Sequence, residues 1–554
     1  MPSRVGGVRR GLTVFVALGL LVGACSGDDS GSGASGGSKS SSTTELGGGS
    51  VRGDAATTTE APLPGIDSGQ RMRLGLGGPI VVDPDKASPA SAQDQLVLDL
   101  LHDGLTRLDA VGHVQPAIAK DWLASGTFTN WRFAIDPAAT FASGRSITAA
   151  DVVASLEHVI AAGDTSLAAL RLESVQGFRA YLDGQAPAVS GLRAIDARTV
   201  EVVLDTPLSF LPALLAAPAY GILDLQSLAA SAKGDLTGLD LSGQWKVEKA
   251  EEGQLTLARR NPLADRVDEV QLRSYPDADD AFTAFGRHQV DWAPVPPAQA
   301  AGAAQGSDAI VPFQGELLLG LRVSTIPSEG LRRAISLAID RPAVVKAVYP
   351  DQAQALGSIV PDAVMGHEDG CGTTCKPDPL AAKAALAAAY PDGNAPTVTI
   401  SFDASPAQQA LARIVAQNLE LVGIRTSLKP LPLDAYQHLL VTGTQEAFTL
   451  SWIGGDRTPD AYLQSLFHTG SPENLVGVSS KDVDYLLGQA RATDDPLAQQ
   501  AAWAQAEQLL LEQAVVVPIA QFLTQTVVAK DVQGFHPAVD GTVDWSAVQV
   551  AKHG

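Results

Sequence analysis

The stretch "SEGLRRAISLAIDR" (Ser328–Arg341) places Leu331, Ala334, Ile335, Ala338 and Ile339 at i, i+3, i+4, i+7 and i+8. That spacing lays one apolar stripe along a helix, so the segment reads as a helix packed on a core, with polar ends. Upstream, "SITAADVVASLEHVI" (Ser146–Ile160) offers Thr148 as N-cap and Asp151 three residues on, a variant of the capping box. His158 on that helix reads as a surface or satisfied residue and not as a ligand. Strand-like runs such as "RTVEVVLDT" (Arg198–Thr206) and "PTVTISFDA" (Pro396–Ala404) alternate with the helical ones. The chain is therefore a mixed α/β protein with no internal repeat.

With 554 residues it exceeds one core, and roughly three or four domains are expected. Its 61 acidic and 39 basic side chains leave a net charge of −22, which argues against nucleic acid, since a phosphate-binding face needs a basic surplus.

The N-terminus reads as an export signal. Arg4, Arg9 and Arg10 precede the apolar run "GLTVFVALGLLVGA", which has signal-peptide length and is short for a membrane-spanning helix. It ends in "LVGAC" (Leu21–Cys25), which resembles a bacterial lipobox and implies cleavage before Cys25 and lipid on its thiol. Thr13 stands at the second position after the spacer of the Arg9–Arg10 pair, so the general export route is preferred over a twin-arginine one. Residues 1–24 are thus expected to be a signal peptide. Residues 25–70 should form a tether, because 21 of the 45 residues after Cys25 are Gly or Ser and none is aromatic. Its root-mean-square reach is roughly 35–40 Å. "GASGG" (Gly33–Gly37) fits a hydrolase nucleophile pattern but lacks the flanking strand and helix that the chemistry needs.

Besides Cys25 there are only Cys371 and Cys375, in "EDGCGTTCKPDP". A disulfide closing this short loop is the first reading for an exported chain, and two free thiols are the alternative. A metal site would need further ligands, and the nine histidines show no H-E-x-x-H pair.

Three ordered blocks resemble the family 5 extracellular solute-binding proteins, the oligopeptide-, dipeptide- and nickel-binding components of ABC importers. In Leu100–Trp122 the matches are Gly104, Leu105, Asp109, Gly112, Pro116, Ala119 and Trp122. In Trp131–Leu156 they are Phe141, Gly144, Thr148, Ala149, Asp151 and Val152, and in Leu331–Arg341 they are Arg332, Ala334, Ala338, Asp340 and Arg341. Weaker matches follow at "ARRNP", "NLVGVSSKDVDYLL" and "VVVPIAQFL".

The resemblance implies a two-lobed, periplasmic-binding-protein-like fold of the class II type, with an extra inserted domain, hinged around a ligand cleft. Domain I is expected at residues 71–112, 217–314 and 516–551, domain II at 113–216 and domain III at 315–515. It implies no catalysis and no cofactor. A monomer, lipid-anchored to the cell membrane on its extracytoplasmic side, would pass a peptide or other amine-bearing solute to ABC permease subunits. A ligand sensor or chaperone-like module uncoupled from transport is the alternative, and a hydrolase is the weaker one.

The resemblance also points to ligand contacts. In "SWIGGDRTPDAYLQSLF" (Ser451–Phe467) the family pattern W-x-x-D-x-x-x-P-D is met at Trp452, Pro459 and Asp460. The first aspartate, which in peptide binders receives the peptide ammonium, is replaced by Gly455, and a carboxylate stands one residue on at Asp456. A ligand role and a turn role are both open for Asp456, and Trp452 reads as cleft wall or local core. Two neighbouring glycines would let a ligand approach the backbone. The family's G-T-G-P-Y block is reduced to Gly243 and Trp245 in "LSGQWKV", and an asparagine position is held by Arg322, which could bind a ligand carboxylate or pair with a domain I acid.

Intact mass of unreduced, alkylated protein recovered from membranes is expected to show diacylglyceryl on Cys25 and no alkylation of Cys371 or Cys375. Two added alkyl groups would leave those thiols free.

Overall fold

The computed structural model describes residues 70–551 except 110–111, 164–165, 232–235, 301–307, 363, 369 and 371–375. Cys25, Cys371 and Cys375, with the expected signal and tether, lie outside the described residues.

One large sheet runs through both lobes. Its first-lobe strands are β1 (Gln70–Leu76), β8 (Trp245–Glu251), β9 (Gln254–Arg259), β10 (Val267–Ser274) and β11 (Trp292–Pro294). The second lobe adds β12 (Asp308–Leu321), β13 (Ala353–Ala355), β14 (Val398–Asp403), β15 (Thr426–Leu431), β16 (Ala447–Ile453) and β17 (Val516–Val528). The order is β15-β14-β16-β12-β17-β11-β1-β10-β9-β8, with β13 on β17, so β15 and β8 are the outer edges. Antiparallel partners β12 and β17, 14 and 13 residues long, reach across the middle. β17 pairs with β11 through Thr526–Val528 and, along its other side, with β12 from Val516 to Val527. These two strands carry the chain between lobes, and their mutual register shifts between Pro312 and Glu316.

The inserted unit is built on a second, four-stranded antiparallel sheet of β4 (Ala119–Ala124), β5 (Asn130–Ile135), β6 (Leu192–Asp196) and β7 (Thr199–Val203), in the order β4-β5-β7-β6. Short pairs β2 (Thr106–Leu108) with β3 (Val114–Pro116), and β18 (Val532–Gln533) with β19 (Gln549–Val550), complete the set. Helix Ala149–Ala161 covers the small sheet, burying Val152, Leu156, Val159 and Ile160. Its capping box is formed: Thr148 Oγ1 accepts from Asp151 N–H, and Asp151 Oδ2 accepts from Thr148 N–H at 2.8 Å. Phe141 is fully buried beneath the Arg145 guanidinium, 4.3 Å from the ring centre, and Gly144 turns the chain at φ +89°.

The predicted stripe is entirely buried, with Leu331, Ala334, Ile335, Ala338 and Ile339 at 5% exposure or less. The single helix expected there is two, however. Glu329–Ala338 stops at extended Ile339, and Asp340 caps a second helix, Arg341–Val348, by accepting from Ala343 N–H. The polar ends are buried. Arg332 donates to the carbonyls of Ile326, Pro327 and Gln513, and Arg341 to those of Pro518 and Ser336. Burial pushes the Arg341 pKa down to about 10.

Thr148→Ala removes the acceptor side of the capping box and is expected to cost about 1–2 kcal/mol, seen as a lower urea midpoint. An unchanged midpoint would mean that the packed face alone sets the start of this helix.

Candidate functional site

The site is assembled where β16 leaves the large sheet. Trp452, 7% exposed, donates from its indole Nε1 to Ala461 O at 2.9 Å, tying the strand end to helix Asp460–Phe467. It is local core. After Ile453, Gly454 and Gly455 lack side chains, and other groups fill that space. A Cβ on Gly454 would lie 2.6 Å from the Tyr462 ring, and one on Gly455, at φ +76°, would lie 2.8 Å from Leu167 Cδ2. The bare backbone expected to admit a ligand is met instead by Tyr462 and by the inserted unit.

Leu167 opens the short helix Leu167–Arg171, whose N-cap Ser166 accepts from Ala169 N–H. Tyr220 O–H donates to Ala168 O at 2.9 Å and holds this helix against the turn Pro218–Tyr220. At its other end Arg171 projects into the junction. Its Nε donates to Asp456 Oδ2 at 2.8 Å, its Nη1 to Asp460 Oδ2 at 3.0 Å and its Nη2 to Thr458 Oγ1 at 3.4 Å. Asp456 is 2% exposed and Asp460 0%. Asp456 Oδ1 also accepts from Thr458 N–H and O–H, at 2.8 and 2.5 Å. Burial by itself would lower the Arg171 pKa, but the two carboxylates outweigh it and hold the guanidinium charged.

Arg457 reaches the other way. It forms a bidentate pair with Asp540 (Nε–Oδ2 2.7 Å, Nη2–Oδ1 2.5 Å) and donates to Thr542 Oγ1 at 2.8 Å. Burial would raise the Asp540 pKa, and Arg457 reverses this to a net lowering. Arg491 stands 3.4 Å from Asp460 Oδ2. Apolar contact seals the same seam: Phe210 meets Trp503 edge-on at 5.6 Å, and Ser209 N–H donates to Arg491 O at 2.9 Å. The inserted unit and the second lobe are in direct contact here.

Two expected contacts lie elsewhere. Trp245 has no exposure and sits in the first-lobe core, edge-on to Trp545 at 5.9 Å with the Arg259 guanidinium 4.4 Å from its ring centre. The aromatic needed there serves packing, so its assignment to the cleft is corrected. Among the described residues Arg322 does not pair with a first-lobe acid. It donates to Leu475 O at 2.6 Å and Ser324 Oγ at 3.2 Å, against Gly443 and Gly477 of its own lobe. Asp83, Asp85 and His158 converge, with His158 Nε2 3.3 Å from each carboxylate, but Lys86 also stands 3.3 Å from Asp83. The Asp83 hydrogen bond raises the His158 pKa, and the group is satisfied as an ion-pair cluster. A polar groove of about 250 Å³ lies at the seam of the first lobe and the inserted unit, lined by Asp103, Thr140, Gln244 and Arg260 among others.

The residues that make the junction, Arg171, Arg457 and Asp540, were not singled out in the sequence. Arg171 lies 285 positions from Asp456, and nothing local marks it.

The profile of the bacterial extracellular solute-binding proteins, family 5, matches residues 113–474. The chain belongs to that family, whose members capture solutes for delivery to a transporter. Among individual proteins it is similar to the dipeptide-binding protein DppE of Bacillus subtilis (strain 168), 24% identical over 453 residues, covering 76% of this chain and 81% of that one. It is also similar to the periplasmic murein peptide-binding protein MppA of Escherichia coli (strain K12), 24% identical over 501 residues, covering 82% and 88%. The unliganded open form of the MppA murein tripeptide-binding protein shares the fold, with a TM-score of 0.76 at 22% identity, covering 88% of this chain and 99% of that one.

Asp456→Asn leaves a buried guanidinium short of one charge partner and should destabilise the empty protein by about 3 kcal/mol. This differs from a pure ligand role, in which no partner would be orphaned. Thermal unfolding without added solute checks it, and an unchanged melting temperature would contradict the ion pair.

Proposed function

We propose that the chain captures a small solute of the peptide class outside the cytoplasm and hands it to an ABC importer while held at the membrane by lipid on Cys25. The observation that carries this reading is the family match over residues 113–474, supported by two lobes joined through β12 and β17. The peptide class is supported by relatives named for dipeptide, murein peptide and oligopeptide binding. Asp456 and Asp460 already hold the chain's own guanidinium, so a cargo ammonium must displace Arg171 to reach either.

Mass spectrometry of solute released on denaturing protein purified from peptide-containing medium tests the reading. A peptide is expected. A sugar or a metal complex in its place would overturn the peptide class, and repeated release of nothing would overturn capture.

A further inference from the structure

Consecutive residues of one loop seize two separate parts of the opposite lobe. Asp456 takes Arg171 of the inserted unit, and Arg457 takes Asp540 of the chain's C-terminal return. Arg171 directs three donor nitrogens at the one loop, to Asp456, Thr458 and Asp460. That geometry suits a planar guanidinium and would not suit an ammonium, which is a point charge. Side-chain exposure is 7% for Arg171 and for Arg457, and 5% or less for all three aspartates.

The charges also balance. Arg171, Arg457 and Arg491 stand against Asp456, Asp460 and Asp540, three of each sign, with no contribution from outside the chain. A buried carboxylate without a partner is strongly unfavourable, so a cleft edged by Asp456 and Asp460 alone would resist closing until cargo brought a cation. Here the cation is built in. Gly455 adds steric agreement, since its missing Cβ is what lets Leu167 and hence Arg171 approach.

We propose that Arg171 is a positioning residue for closure, supplying from the inserted unit the cation that lets the lobes shut on the second-lobe carboxylates before any cargo arrives. Arg171 then acts as an internal competitor. Cargo enters when the fork lets go, and the fork re-forms behind cargo that leaves the carboxylates alone. The inference concerns the empty protein, so its failure would leave solute capture standing, and failure of the peptide reading would leave it untouched.

Single-molecule energy transfer tests it, with dyes attached through unnatural residues at exposed Lys249 of β8 and Lys383 of helix Pro379–Ala389. The full chain is first stripped of solute by unfolding and refolding. The unaltered protein is expected to populate mainly the high-transfer state. Arg171→Met should raise the ratio of open to closed molecules at least about tenfold, with Arg171→Lys in between. A merely structural arginine would lower the melting temperature and leave the interlobe distance alone. The proposal falls if folded Arg171→Met matches the unaltered protein, or if the stripped protein is mainly open. Should Arg171→Met not fold, hydrogen exchange on the unaltered, stripped protein decides. Slow exchange at the Thr458 amide, which donates to Asp456, supports the lock, and exchange as fast as an exposed loop overturns it.

Discussion

Two carboxylates taken out of water at the edge of β16 require a cation, and the Arg171 guanidinium meets that requirement from the other lobe. Much of the seam follows from this one pairing. The fork fixes the last residue of helix Leu167–Arg171, and Leu167 at the other end of that helix then lies on Gly455. With the inserted unit drawn in, Phe210 reaches Trp503 and Ser209 reaches the backbone of Arg491. The apolar contacts supply burial and are not directional. The charge pairs are directional, so they select one closed arrangement among those that would cover the same surface.

What was legible in the sequence was local. The stripe Leu331–Ile339 and the Thr148–Asp151 box depend on neighbours within a turn or two, and both are present as read. Where the reading departed from the structure, a residue's type was a poor guide to its surroundings. Arg332 and Arg341 gave the helix the polar ends that were read, and both guanidinium groups are buried because carbonyl oxygens satisfy their donors. Trp245 suggested a cleft aromatic, and an indole also fills a core as well as any side chain. The break at Ile339 was hidden because Asp340 caps the second helix while the apolar stripe continues through it.

The junction residues show a different limit. "GGD" in the segment after Trp452 was read as room for a ligand, yet Tyr462 and Leu167 lie against the two glycines and the partner of Asp456 comes from 285 residues upstream. No periodicity or spacing encodes such a partner. The family pattern located the loop, and the shift of the carboxylate from position 455 to Asp456 was visible, but the arginine that accompanies it was not.

The ends of the large sheet have a consequence for how this chain behaves among its own copies. Edge strand β15 reads "TSLKPL", with Pro430 lacking an amide hydrogen and Lys429 exposed beside it. Opposite edge β8 reads "WKVEKAE", where Lys246, Glu248, Lys249 and Glu251 are exposed. An incoming strand would find a missing donor at one margin and would desolvate charges at the other. A sheet of eleven strands is thereby guarded at both rims against growing into a fibre through strand addition.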